Sequence, residues 1–155
     1  MLRTKKVALM LIFDFEKIFR YGISYYRESF GNERIILEGF PDAQVSKGLD
    51  ADSRFYYSEN LRFFYTQSIL QQVVVFFQNY ETSYELRLDD EIIFLNSCST
   101  IEKIIYFLNA KQIKWKIDYE QSKLDYLILD LQSDVRLIFY LYSEVLDRIV
   151  TGEFA

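Results

Sequence analysis

The sequence predicts an α+β fold, an antiparallel sheet of about five or six strands with helices packed on it. Three observations carry that prediction. Tyr84, Leu86 and Leu88 alternate with charged residues, and Ile113, Trp115, Ile117 and Tyr119 alternate with Lys114, Lys116 and Asp118, the period of a half-buried strand. Other stretches place apolar residues three and four apart, the period of a helix with one buried face. Each alternating run is followed by a second apolar run and then by a helical one, the order of hairpins with helices laid on them.

The elements follow in chain order. Residues 7–13 are apolar and fit either a buried strand or the first turns of the helix after it, because apolar length does not separate the two. A helix is predicted over 15–30, with Phe15, Ile18, Phe19, Ile23, Tyr26 and Phe30 on one stripe, Asp14 as its cap and Gly31 at its left-handed end, despite Gly22 in the middle. Residues 33–40 read as a short strand closed by Gly39 and Pro41. Residues 41–52 are polar and aperiodic, a candidate long loop. Residues 54–57 read as extended. Over 60–80, Leu61, Tyr65, Ile69, Val73, Phe76 and Tyr80 form a helical stripe behind a cap at Asn60, although 73–77 prefers strand.

Asp89-Asp90 turns a hairpin between residues 84–88 and 92–95, without the glycine such a turn favours. Ser99 and Glu102 form a capping box before Ile101, Ile104, Ile105 and Leu108. Strands at 113–119 and 124–131 follow. Ser133 then caps a helix carrying Val135, Ile138, Phe139, Tyr142, Val145, Leu146 and Ile149, and Gly152 ends it. Residues 84–150 therefore carry a candidate strand–strand–helix repeat within a single domain spanning 1–155.

Composition bounds the function. The chain has no histidine, which excludes a histidine-based triad, an imidazole metal ligand and a histidine pH switch. Its closest glycines, Gly31 and Gly39, are too far apart for a phosphate-cradling loop, and no cofactor site is expected. Cys98 is the one cysteine, so it forms no internal disulfide and no zinc framework. It reads as a small residue in a reducing, cytoplasmic setting. Arg3, Lys5 and Lys6 before residues 7–13 look like the start of a signal peptide, but that apolar run stops at Asp14. No stretch reaches the ~20 apolar residues of a membrane-spanning helix. A net charge of −5 argues against a nucleic-acid partner and favours a basic one. Aromatic residues make up 18% of the chain, most of them expected in a phenylalanine-rich core and some on the surface, where Tyr suits contacts.

Carboxylates are the remaining route to catalysis. Asp14-Phe15-Glu16 follows an apolar run, and alternate acids on one strand face can hold divalent metals. Over about ten residues this resembles the first motif of the DnaQ-type exonucleases. The resemblance implies further acids and a Tyr or His near the last Asp. Tyr126 and Asp130 have that spacing, but on a predicted strand where the family has a helix. The competing reading makes Asp14 a helix cap with Glu16 in the first turn. Asp89-Asp90-Glu91 reads as a solvated hairpin tip rather than a cation site.

Basic and aromatic residues interleave in Arg54-Phe55-Tyr56-Tyr57 and Arg62-Phe63-Phe64-Tyr65. Tyr and Arg dominate protein-binding hot spots, and the same mixture stacks on single-stranded nucleic acid. Arg54, Tyr56, Tyr57 and Arg62 are the candidate protein-binding residues. Lys111, Lys114, Lys116 and Lys123 form a smaller basic patch that guards a strand edge. Together these features point to a non-catalytic protein-binding module, an inhibitor, immunity-type or adaptor protein acting in a stoichiometric complex. The alternatives are a metal-dependent phosphodiesterase using Asp14 and Glu16, and a self-associating structural protein.

Overall fold

In the computed structural model, which describes residues 13–48, 50–78, 82–120, 122 and 125–153, Asp14 caps the first helix. Its Oδ1 accepts a hydrogen bond from the Lys17 backbone N–H at 3.2 Å. Helix α1 (Phe15–Tyr21) ends at Gly22, and α2 (Ile23–Phe30) starts there. The expected single helix over 15–30 is therefore two, because Gly22 adopts φ +63°, a conformation open to glycine and strained for other residues. Gly31 is right-handed rather than the expected left-handed cap. The expected strand at 33–40 is helix α3 (Glu33–Gly39): the Asn32 side chain caps it by accepting from Arg34 N–H, and of its apolar run only Ile36 is buried. Of the expected strand or helical turns at 7–13, only Phe13 lies within the described residues.

The candidate loop 41–52 contains strand β1 (Gln44–Lys47), which pairs with β2 (Ser53–Ser58). The expected helix over 60–80 is instead the hairpin β3 (Leu61–Thr66) and β4 (Ile69–Phe76), with residues 79 and 80 outside the described set. Gln67 and Ser68 make the turn, both at positive φ, which is the backbone a tight two-residue hairpin demands. The hairpin β5 (Tyr84–Leu88) and β6 (Glu91–Leu95) forms around Asp89-Asp90 as expected, with Asp89 at φ 41°. Helix α4 (Ile101–Ala110) is capped by Thr100 rather than Ser99. The Ser99 hydroxyl instead accepts from Asn96 N–H and donates to the Phe94 carbonyl.

Strands β7 (Trp115–Ile117) and β8 (Tyr126–Leu131) fall within the strands expected at 113–119 and 124–131, with Leu124, and Lys123 of the expected basic patch, outside the described residues. The predicted final helix is the hairpin β9 (Val135–Tyr140) and β10 (Leu146–Gly152), so the strand–strand–helix unit occurs once and is not repeated.

The larger sheet has eight strands in the order β1-β2-β3-β4-β10-β9-β8-β7, every neighbouring pair antiparallel, while β5 and β6 form a separate two-stranded sheet. The sheet is thus wider than the expected five or six strands, and the architecture remains an antiparallel sheet with helices packed on it. One face of the sheet, with Tyr56, Phe63, Tyr65, Val73, Val75, Leu137, Phe139 and Ile149, joins the helices and the β5–β6 hairpin in one buried cluster. Burial of this much apolar surface is the main favourable term in the fold. Polar bonds fix how the helices seat: Tyr65 Oη donates to the Phe30 carbonyl, Ser133 Oγ donates to the Phe19 carbonyl, and Ile23 N–H donates to Asp134 Oδ1. Among the described residues no helix is long and apolar enough to cross a membrane.

Candidate binding face

The second face of the eight-stranded sheet is built by strand register. Residues paired directly across an antiparallel ladder point to the same side. Phe55 lies opposite Phe64, and Tyr57 opposite Arg62. Arg62 lies opposite Val74, and Val74 opposite Val150. Phe76 faces Arg148, Arg148 faces Ile138 and Val150 faces Arg136. Tyr126 faces Tyr140, Ile128 faces Ile138 and Asp130 faces Arg136. Every buried helix residue belongs to the cluster on the opposite side. Among the described residues, no helix covers this face.

Its floor is apolar. Val74, Ile128, Ile138 and Val150 form a small buried cluster of their own, with Phe76 and Tyr126 packed against it. Rings and guanidinium groups make the layer above. Phe55 stacks on Phe64 with centroids 4.5 Å apart. The Arg62 guanidinium lies 5.9 Å from the Phe55 centroid and 5.7 Å from that of Phe76, within reach of a cation–π attraction to both. Arg148 sits 5.2 Å over Tyr126, whose ring is 5.7 Å from Tyr140.

A bulge in β10 places Asp147 beside this face. Its carboxylate is buried and accepts from Tyr140 Oη at 2.7 Å and Arg148 Nη1 at 2.6 Å. That hydrogen bond, with some burial, pushes the Tyr140 phenol up to about 12. Arg136 lies 4.0 Å from Asp118 and 3.9 Å from Asp130. Two of the three arginines on the face are thus neutralised by acids of the fold itself.

The four residues singled out by sequence divide between the two faces. Tyr57 and Arg62 are cross-strand neighbours on the uncovered face, and Tyr57 is 40% exposed. Tyr56 points the other way. It is buried, its ring sits edge-on to Tyr65, and its hydroxyl donates to Glu33 of α3 at 2.5 Å. Arg54 shares that side, with its guanidinium 3.7 Å from the same carboxylate. A two-residue period explains the division, since adjacent strand residues face opposite ways. Sequence reading missed Phe76, Tyr126, Arg136, Tyr140 and Arg148. The alternation Val135-Arg136-Leu137-Ile138-Phe139-Tyr140 is a signal for Arg136 and Tyr140, hidden because helical spacing fits the same apolar residues, whereas Phe76, Tyr126 and Arg148 carry no such local signal.

Asp14 and Glu16 line one small concavity but are each engaged within the fold. Asp14 is spent on its helix cap, and Glu16 reaches Lys111 Nζ at 3.0 Å and Arg20 at 3.9 Å. Tyr126 and Asp130 lie on β8, a strand as expected and not the helix of the exonuclease motif. Among the described residues no three acidic or cysteine side chains converge as metal ligands.

Concavities also lie elsewhere on the described residues, the one beside β7 reaching Asp130 at the edge of the uncovered face. A cleft of about 1050 Å³ beside edge strand β7 is lined by Trp115, Lys114, Lys116 and Gln112. A groove of about 440 Å³ between β6 and α4 is lined by the exposed Ile92, Phe94 and Tyr106, with Cys98 at its side. Another of about 440 Å³ lies by Asp14, Glu16 and Tyr84. Compared with protein-family models, curated proteins and solved structures, the chain matches none at a significant level.

Proposed function

We propose that the chain is a non-catalytic protein-binding module, of the inhibitor, immunity or adaptor kind, that presents the uncovered face of its sheet to one protein partner. The observation that carries this reading is the band of rings and arginines on that face: Phe55, Tyr57, Arg62, Phe64, Phe76, Tyr126, Tyr140 and Arg148. These side chains combine rigid apolar area with hydrogen-bonding tips, the composition of interface hot spots. The protein's net charge of −5 favours a protein ligand over a polyanion, which would require a basic footprint.

The test compares three forms of the chain: wild type, Tyr57→Ser/Phe64→Ser on the uncovered face, and Arg54→Ser on the helix-covered face. Each is used as bait in lysate of the source cells, and the captured complex is analysed by sedimentation. The expected result is one partner at fixed stoichiometry with wild type and Arg54→Ser, and a loss of at least about 30-fold in affinity with the double variant. Equal capture by all three folded forms would reject the reading. A wild-type bait that sediments only with copies of itself would assign the face to self-association.

A further inference from the structure

We propose that Arg62 receives an acidic side chain of the protein partner, a carboxylate set among apolar residues. This deepens the reading of the uncovered face as a protein-binding site and rests on it. The observation is an asymmetry among the three arginines of that face. Arg148 is bonded to Asp147, and Arg136 lies against Asp118 and Asp130. Among the described residues no carboxylate lies within 4.0 Å of Arg62.

The Arg62 Nε–H is buried and has no acceptor among the described residues. The guanidinium is held between Phe55 and Phe76, so its position is set before a partner arrives. A guanidinium held this way offers a planar fork of donors that matches a carboxylate, and a charge-assisted bond formed among rings is stronger than one in water. Its surroundings also define the ligand. Tyr57 lies directly across from Arg62, and Phe64 stacks on Phe55 next to it. A lone cation ringed by aromatic side chains fits one carboxylate flanked by apolar groups. It does not fit a run of phosphates, which needs a row of available cations, because Arg136 and Arg148 are already paired with Asp118, Asp130 and Asp147.

The test selects a displayed library of random linear peptides on the whole chain. It then measures fluorescein-labelled winners by anisotropy against wild type, Arg62→Met, Arg62→Lys and Tyr57→Ser/Phe64→Ser, each first checked for an unchanged thermal melt. Arg62→Met keeps the apolar stem over the rings, which protects the fold. The expected winners carry Asp or Glu beside aromatic or aliphatic residues. Amidating that acid should weaken binding to wild type by about tenfold or more and leave binding to Arg62→Met unchanged, with Arg62→Lys in between.

Winners that need Tyr57 and Phe64 but tolerate both amidation and Arg62→Met would overturn the Arg62 pairing and leave the face as a protein site. If no winner depends on Tyr57 or Phe64, the reading of the face itself fails. A labelled oligothymidylate that binds wild type and is lost with Arg62→Met, in the absence of acidic winners, would overturn the proposal in favour of nucleic acid.

Discussion

Gly22→Ala should be one of the most damaging single substitutions in the chain. Gly22 joins α1 to α2 at φ +63° and ψ −138°, a backbone region that costs a residue with a Cβ about 1–3 kcal/mol. A Cβ built there would lie 1.8 Å from Asp134 Oδ1 and 1.9 Å from the Ser133 carbonyl oxygen. Neither distance is tolerable, so the helix junction would have to lift away from the β8–β9 turn. That movement would break two bonds, Ile23 N–H to Asp134 at 3.2 Å and Ser133 Oγ to the Phe19 carbonyl. At about 1 kcal/mol each, these bring the total to ~3–5 kcal/mol. A domain of this size has roughly 5–15 kcal/mol in all. Urea unfolding followed by far-ultraviolet circular dichroism at neutral pH should show a lower midpoint with an unchanged slope. The melting temperature should fall by about 2–4 °C per kcal/mol lost. Where a glycine's conformation suits alanine, the exchange stabilises by about 0.4–1 kcal/mol. A neutral or stabilising result at Gly22 would therefore refute the geometry of the junction.

Adjacent tyrosines should separate in effect. Tyr56→Ala empties a buried site and should cost about 3–5 kcal/mol in urea unfolding, whereas Tyr57→Ala should change stability by less than about 1 kcal/mol. Equal costs would mean that β2 is in the wrong register. Asp14→Ala should remove a cap bond and cost about 1 kcal/mol, while Asp14→Asn should cost little, since asparagine caps as well. A large loss with asparagine would show that the carboxylate charge has a role beyond the cap.

The Tyr140 phenol titrates higher folded than unfolded, because the protonated form donates to Asp147. Its contribution to stability is therefore complete below the ordinary value of 10.0 and is lost as pH rises from there through about 12. The difference between alkaline absorbance titrations of wild type and Tyr140→Phe should show one phenol titrating at the high end. A phenol at its ordinary value would deny the bond.

Some of the fold was legible because local and tertiary signals agree. Around Asp89-Asp90, strict alternation and a turn residue that tolerates positive φ both call for a hairpin, and the hairpin is there. Asp14 and Asn32 are capping residues that do cap, although only the first was read that way.

The hairpins β3–β4 and β9–β10 were misread for one shared reason. Leu61, Tyr65, Ile69 and Val73 stand four apart, a spacing compatible with both helical and strand periods. Their turns carry no glycine, since Gln67, Ser68 and Glu144 take positive φ instead, so the usual punctuation is missing. α3 failed in the opposite direction, because Ile35-Ile36-Leu37 suits a strand by composition while only Ile36 is buried. The candidate site inherited these errors. Tyr57 and Arg62 could be found from local composition. Phe76, Arg148, Tyr126 and Tyr140 join them only through pairing of strands far apart in sequence.

The central claim is that the uncovered face meets the partner, and photo-crosslinking tests it most directly. Benzoylphenylalanine replaces Phe64 on the uncovered face in one sample and the exposed Leu37 on α3 in another. Both are irradiated in lysate of the source cells. The account predicts a covalent adduct of one defined mass from position 64 and none from position 37. An adduct from position 37 alone would contradict it.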